Sequence, residues 1–270
     1  MAAAPPAVIA AAEGTEALWR EIRLAAGEVA EREPLLARLL RQMVLSRESL
    51  ADALAAMLGR RLGCEDLPAA AIHRLFLDAV EANDAILNRA AADLNAVITR
   101  DPACPGPLHV LLNLKGFHAL QSHRLAHWLW WAERRELAHL LSNRASTVFA
   151  VDIHPAARLG AGIMLDHATG IVIGETAVVG DDVSILQNVT LGGTGKERGD
   201  RHPKVRNGVL IGVGAKILGN IQVGAMSKVA AGSVVLTDVP PHSTVAGVPA
   251  RVVRRCCAEP VPAFAMDQTI

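Results

Sequence analysis

From Val151 onward the aliphatic residues recur every six positions. Ile153, Leu159 and Leu165 are six apart, and so are Ile173, Val179, Ile185 and Leu191. Ile211, Ile217, Val223, Val229 and Val235 resume the series. A glycine follows the aliphatic residue at Gly160, Gly174, Gly180, Gly212 and Gly224. Four positions after the aliphatic residue sits a small or β-branched one, at Ala157, Thr169, Ala177, Val183, Val189, Ala215, Ser227 and Ser233. A generic Val/Gly-rich sandwich has no such fixed period. Each unit reads as one short strand plus a turn, with the aliphatic residue pointing inward and the glycine permitting the turn's backbone. Three units close one triangular coil, and stacked coils bury a continuous aliphatic column. That column needs no aromatic core, in keeping with an aromatic content of 3%.

The front half has a different period. Leu18, Ile22, Ala26 and Val29 share a helical face, and Pro34 suits a first helical position before Leu35, Leu36, Leu39, Leu40, Met43 and Val44. Ser49 opens a run that stops between Gly59 and Gly63. Helical spacing continues over 69–88 and 90–99, breaks over the proline-rich 101–107, and resumes over 111–143 with Trp128, Trp130 and Trp131 as core or subunit contacts. The expected class is α+β: an all-helical domain over 1–150, a parallel β-helix over 151–240, and a turn with a flexible tail over 241–270.

Two irregularities interrupt the repeat. Leu165 and Ile173 are eight apart, with the surplus in Asp166-His167-Ala168-Thr169-Gly170. Leu191 and Ile211 are 20 apart where three units would take 18, and between them lies the polar run from Gly192 to Lys204. In repeat proteins such departures map to loops, often on the working face. His167 suits a general base because imidazole titrates near working pH, and a carboxylate on its other nitrogen would fix the tautomer. The residues alone leave Asp152, Asp166 and Glu175 as rivals for that partner.

Seven strings in order carry a resemblance. In the back half these are Val151-Asp-Ile-His-Pro-Ala-Ala157, Asp166-His-Ala-Thr-Gly170, Gly192-Gly-Thr-Gly-Lys196 and Gly199-Asp-Arg-His-Pro-Lys204. In the helical half they are Thr99-Arg-Asp-Pro-Ala103, Lys115-Gly-Phe-His-Ala-Leu120 and His127-Trp-Leu-Trp130. Over roughly residues 15–255 the chain resembles the serine O-acetyltransferases among the hexapeptide-repeat proteins. The resemblance implies a left-handed coil, an exception to the usual crossover hand. It also implies acetyl transfer from acetyl-CoA to the L-serine hydroxyl, giving O-acetylserine for cysteine synthesis, by direct attack with His167 as base and Asp152 as its partner. By the same likeness Asp101 and Asp166 take the serine ammonium, and Arg201 and His202 take its carboxylate. Gly193 is the candidate oxyanion donor, and coenzyme A would lie near Val213, Lys228 and Ala231. A homotrimer, paired into a hexamer by the helical half, is expected. So are feedback by L-cysteine and binding of O-acetylserine sulfhydrylase through Ile270.

Other classes are weighed against this. The formal net charge is zero, so no footprint for nucleic acid or an anionic membrane is present. No basic residue precedes Arg20 and no stretch approaches the length of a membrane span, which with four unpatterned cysteines suggests a reducing, cytoplasmic setting. His154, His167 and His202 could be offered as zinc ligands for a hydratase of the same fold, yet no metal is expected, because the acyltransferase strings match better. An acetyltransferase for sugar or antibiotic hydroxyls, and a protein-binding regulator of cysteine synthase, are the remaining alternatives. His118, His123, His127, His139, His154 and His242 read as structural.

Overall fold

The protein was analysed as a computed structural model that describes residues 6–195, 198–255 and 261–269, with side chains from residue 14 onward. Eight helices come first: α1 (Pro6–Arg32), α2 (Pro34–Leu40), α3 (Leu50–Leu62), α4 (Ala69–Ala82), α5 (Ala85–Arg100), α6 (Pro107–Asn113), α7 (Lys115–Trp131) and α8 (Arg135–Phe149). Local chemistry sets several of the ends. Pro34 occupies the first turn of α2, where its missing N–H costs nothing. The Ser49 hydroxyl accepts the Asp52 N–H at 3.2 Å, capping α3. Two boundaries differ from the expected ones. The run over 69–88 breaks at Asn83, whose side chain accepts the Ala85 N–H at 3.2 Å and starts α5 early. The run over 111–143 is cut at Leu114 and again before Arg135, where Glu133 is left-handed with φ 56°. Among the described residues no helix is long and apolar enough to cross a membrane.

The back half is a three-sided parallel coil of five turns. The first turn holds β1 (Val151–Ile153), β2 (Arg158–Leu159) and β3 (Met164–Leu165), and the second β4 (Ile171–Ile173), β5 (Val178–Val179) and β6 (Ser184–Ile185). The third holds β7 (Thr190–Gly192), β8 (Lys204–Val205) and β9 (Leu210–Ile211), and the fourth β10 (Lys216–Leu218), β11 (Gln222–Val223) and β12 (Lys228–Val229). In the fifth, β13 (Val234–Val235) and a bridge at Val239 lead to β14 (Ser243–Gly247). Every third strand stacks, as in the sheet β1-β4-β7-β10-β13. β14 pairs in parallel with β12, so the coil runs past the expected boundary at 240. It ends where β15 (Ala250–Arg255) folds back antiparallel on β14.

The inward column is the one the period predicts: Ile153, Leu159, Leu165, Ile173, Val179, Ile185, Leu191, Ile211, Ile217, Val223, Val229 and Val235 are all buried. Each contributes about 1.5–3 kcal/mol by leaving water. Three expectations need correction. Thr169 is exposed, because the insertion carries it outward and Ile171 fills the inward place. Leu191 and Ile211 lie on different sheets, so only two units separate them, and Val205 supplies the inward residue of the first. Val179 and its partner Val205 are 26 residues apart against 18 for Val205 and Val223, so the second insertion is eight residues rather than two. Nor do the five repeat glycines serve the turn's backbone, since none has positive φ. They permit close stacking: a Cβ on Gly212 would lie 2.7 Å from the Ala231 nitrogen, and one on Gly224 2.3 Å from that of Pro241.

A buried ion pair joins the two halves. Asp93 on α5 accepts from Arg124 Nη2 at 2.5 Å, Arg124 Nε at 2.9 Å and Gln121 at 3.1 Å, while its other oxygen accepts the Ile163 N–H at 3.0 Å. Burial pushes this carboxyl up and the guanidinium with the other donors pulls it down; four donors aimed at an acceptor-only group favour the carboxylate. Residues 261–269, expected as part of a flexible tail, lie against the coil. The short helix α9 (Pro262–Ala265) buries Ala263, Ser184 Oγ donates to the Ala263 carbonyl at 2.9 Å, and the Arg100 guanidinium sits 4.5 Å from the Phe264 ring centre.

Candidate active site

The first break places His167 directly after β3. His167 and Ala168 are consecutive left-handed residues, with φ 54° and 59°. Such conformations cost non-glycine residues about 1–3 kcal/mol each and persist where surroundings enforce them. Ala168 is turned inward and fully buried, while the His167 side chain is 75% exposed. Asp166 Oδ1 lies 4.0 Å from His167 Nε2. Burial raises the Asp166 pKa; the His167 charge lowers it and the nearby Asp101 carboxylate raises it again. Asp101 follows the last residue of α5, and its Oδ1 accepts the Ala103 N–H at 2.8 Å, which fixes the carboxylate at the start of the loop. A helical-half aspartate thus faces the coil's first break. Asp152 is exposed on β1, and among the described residues it makes no hydrogen bond or ion pair with His167.

The second break is held by residues of the turn after β4. Thr176 Oγ1 accepts the backbone N–H groups of Arg201 and His202 at 3.0 and 3.1 Å. Its own hydroxyl, 2.9 Å from His202 Nδ1, and the Thr176 N–H at 3.2 Å both donate to that ring nitrogen. Nδ1 is therefore an acceptor, and His202 is the neutral tautomer with its proton on Nε2. Burial first, then the Arg201 cation, lower the His202 pKa, in agreement with that tautomer. The ring fills the space beside Gly174, where a Cβ would stand 2.0 Å from His202 Cδ2. Arg201 Nη2 donates to Glu175 Oε2 at 2.7 Å, and this bond holds the Glu175 carboxyl below its ordinary range. Lys204 closes the loop, donating to the Thr176 and His202 carbonyls at 3.1 and 2.6 Å.

Reading the sequence missed Thr176 and Lys204, and treated Glu175 only as a rival partner for the base. Polar residues fill most of the coil's turns, so neither Glu175 nor Thr176 carries a mark of its own. Gly193 lies beside Arg201, 3.4 Å from its Cγ to where a Cβ would stand. Val213 and Ala231 sit in adjacent turns, with the Val213 carbonyl accepting the Gly232 N–H at 2.8 Å. Lys228 Nζ donates to the Asp267 carbonyl at 2.8 Å and to that of Thr269, so the tail covers this lysine. Ile270 lies outside the described residues, as do Cys256 and Cys257.

The remaining histidines work within the fold. His118 donates through Nε2 to the Leu111 carbonyl at 2.7 Å, and burial lowers its pKa to about 4. His127 Nδ1 donates to the Pro155 carbonyl at 2.7 Å and its Nε2 accepts the Trp131 N–H at 3.1 Å. His154 Nδ1 accepts the Ala156 N–H at 3.1 Å within its own turn. Among the described residues no three His, Cys, Asp or Glu side chains are grouped to hold a metal ion.

Helices leading into a three-sided parallel coil, with the coil's interruptions carrying an exposed histidine, paired carboxylates and an arginine–histidine loop, define a hexapeptide-repeat acyltransferase. Comparison with known proteins narrows the class. The serine acetyltransferase N-terminal family matches residues 18–122. Serine acetyltransferase of Salmonella typhimurium is 55% identical over 256 residues, covering 95% of this chain and 93% of that protein. A serine acetyltransferase structure in complex with cysteine superposes with a TM-score of 0.93 at 52% identity, covering 95% of this chain and 99% of the other. The Brucella abortus serine acetyltransferase in complex with coenzyme A gives 0.87 at 53% identity, over 89% and 97% of the two chains. The chain belongs to the serine acetyltransferase family.

Proposed function

We propose that the chain transfers the acetyl group of acetyl-CoA to the hydroxyl of L-serine, giving O-acetylserine and free coenzyme A. The carrying observation is family membership across nearly the whole chain, joined to an exposed imidazole on a strained insertion. His167 takes the hydroxyl proton as the serine oxygen attacks the thioester carbonyl carbon. The Gly193 N–H receives the developing oxyanion. Collapse breaks the carbon–sulfur bond, and the imidazolium returns its proton to the departing thiolate. No cysteine or serine nucleophile adjoins His167, which favours direct attack over an acetyl-enzyme. Exposure leaves the imidazole room to turn toward Asp152, which would then fix its tautomer.

Serine recognition follows from charge. Asp101 and Asp166 bring two carboxylates together, and Asp101 already raises the pKa of Asp166; an ammonium seated between them relieves that repulsion. Arg201 and neutral His202 present donors to the carboxylate, with Arg201 held meanwhile by Glu175. Val213, Lys228 and Ala231 are assigned to coenzyme A, and L-cysteine, a serine analogue, to feedback at the same site. In the division of labour, 1–150 supplies assembly and Asp101, 151–240 the chemistry, and 241–270 the tail. Leu24, Leu35 and Trp131 are exposed apolar side chains on the helical half, as a trimer or paired trimers would require. Sulfhydrylase binding is assigned to Ile270.

An assay of thiol release from acetyl-CoA tests the activity. It should require serine, be suppressed by L-cysteine, and show no turnover on galactosides or chloramphenicol. Turnover on those acceptors with none on serine would overturn the reading. Light scattering should give a trimer or hexamer, and deletion of Ile270 should abolish sulfhydrylase capture while sparing acetylation.

A further inference from the structure

Two adjacent residues at the start of α7 are poor choices for a helix. Lys115 places a cation at the positive end of the helix dipole, and Gly116 has low helix propensity. Both face the His167 insertion. Lys115 Nζ donates to the Thr169 hydroxyl. Gly116 lies against the end of β3: a Cβ there would stand 2.1 Å from the Leu165 carbonyl oxygen and 3.1 Å from Ala168 Cβ. One of these neighbours is backbone and the other is a fully buried methyl, so neither can swing aside. Local rules broken without local compensation point to a role elsewhere.

The insertion cannot hold its own shape. Its internal closures are short, from Ala168 N–H to the Asp166 carbonyl at 2.5 Å and from Thr169 N–H to the His167 carbonyl at 2.7 Å. The rest of its support comes from outside. Gly170 N–H donates to the Ala150 carbonyl at 2.7 Å at the end of α8, and Asn188 N–H donates to the Thr169 carbonyl at 2.8 Å from the next turn of the coil. The start of α7 supplies the third side. We propose that Lys115 and Gly116 are positioning residues for His167, the helical half pressing the insertion into its two left-handed residues so that the imidazole projects outward. The proposal rests on the reading of His167 as the base. It gives the helical half a part in catalysis beyond Asp101.

The test measures kcat and both KM values for Gly116→Ala, Lys115→Met and Lys115→Arg, each alone and in a His167→Ala background, with thermal melts of every variant. Gly116→Ala should lower kcat about 10–100-fold, the scale on which a misplacement near 1 Å acts. Lys115→Met should lower it about 5–10-fold, Lys115→Arg should restore most of that, and the acetyl-CoA KM should stay within about twofold. In the His167→Ala background neither substitution should cost more than about twofold, because the group they position is gone. Near-normal kcat in folded Gly116→Ala, or equal losses with and without His167, would overturn the proposal while leaving the base in place. If Gly116→Ala fails to fold, Lys115→Met decides, since it adds no bulk: full activity overturns, and loss restored by arginine supports. Near-normal turnover by His167→Ala alone would instead remove the base reading and this proposal with it.

Discussion

The coil is interrupted twice, and the two breaks are built on opposite plans. The first is short and braced: His167 and Ala168 are both left-handed, and the backbone is held by Ala150, Asn188 and the start of α7. The second adds eight residues to its turn. Its described residues hang chiefly on side chains of one neighbouring turn, with Thr176 binding the backbone of Arg201 and His202 and Glu175 binding the guanidinium. A braced insertion suits a group that must meet one reacting proton in one geometry. A loop fastened by side chains suits groups that exchange one carboxylate, that of Glu175, for another, that of a bound amino acid. The comparison teaches that rate and recognition can be divided between two departures from one repeat.

That division can be broken by kinetics. The largest effect should come from the first break: His167→Ala should lower kcat by about 10²–10⁴-fold, the usual worth of a positioned general base, with the serine KM little changed. Next is the second break. Arg201→Ala should raise the serine KM about 100-fold, because a charge-assisted pair to a carboxylate is worth about 2–3 kcal/mol. Equal KM values for the two proteins would remove arginine from recognition. Thr176→Val keeps the shape and deletes the anchor of the loop; the serine KM should rise about tenfold, near 1.4 kcal/mol. A fall in kcat alone would place Thr176 with the first break.

Two smaller effects depend on pH. The Asp166 carboxyl is raised by burial and by Asp101, so it protonates earlier on acidification than an ordinary aspartate. The serine KM should therefore climb as pH falls below neutrality, and Asp166→Asn should flatten that climb. His118 bears on stability. Its pKa in the fold is about 4 against 6.5 for the free side chain, so the unfolded chain takes up the proton first. The stability it contributes is present above pH 6.5 and is lost as pH falls toward 4, by on the order of 3 kcal/mol. Urea midpoints at several pH values should show this slope, reduced in His118→Gln.

The coil was legible because its period has one physical cause. Each inward aliphatic residue must face the axis, and all twelve named from the spacing are buried. The long break was misjudged because counting from Leu191 to Ile211 overlooked Val205, an inward residue hidden at the end of a polar run. The glycines were visible but their reason was not: contacts between turns, 20 or more residues apart in sequence for Gly160 and Asp181, are absent from a linear reading. Helix ends at Asn83 and Glu133 escaped because periodicity continues across a one- or two-residue break. In the site, His167 stood out through the interruption itself. Asp101 did not, since nothing in a proline-rich loop after a helix says which coil turn it will face; only the likeness to a family named it. Thr176 and Glu175 were silent for a related reason, as polar residues in turns are the rule.

The separation of the two breaks is tested most directly by one set of serine saturation curves on four proteins: wild type, His167→Ala, Arg201→Ala and the double variant. The double variant should show the kcat of His167→Ala with the serine KM of Arg201→Ala, each loss carried over without interaction. If Arg201→Ala lowers kcat as far as His167→Ala does, or if His167→Ala keeps its kcat and loses only affinity for serine, the two breaks do not divide the work as described.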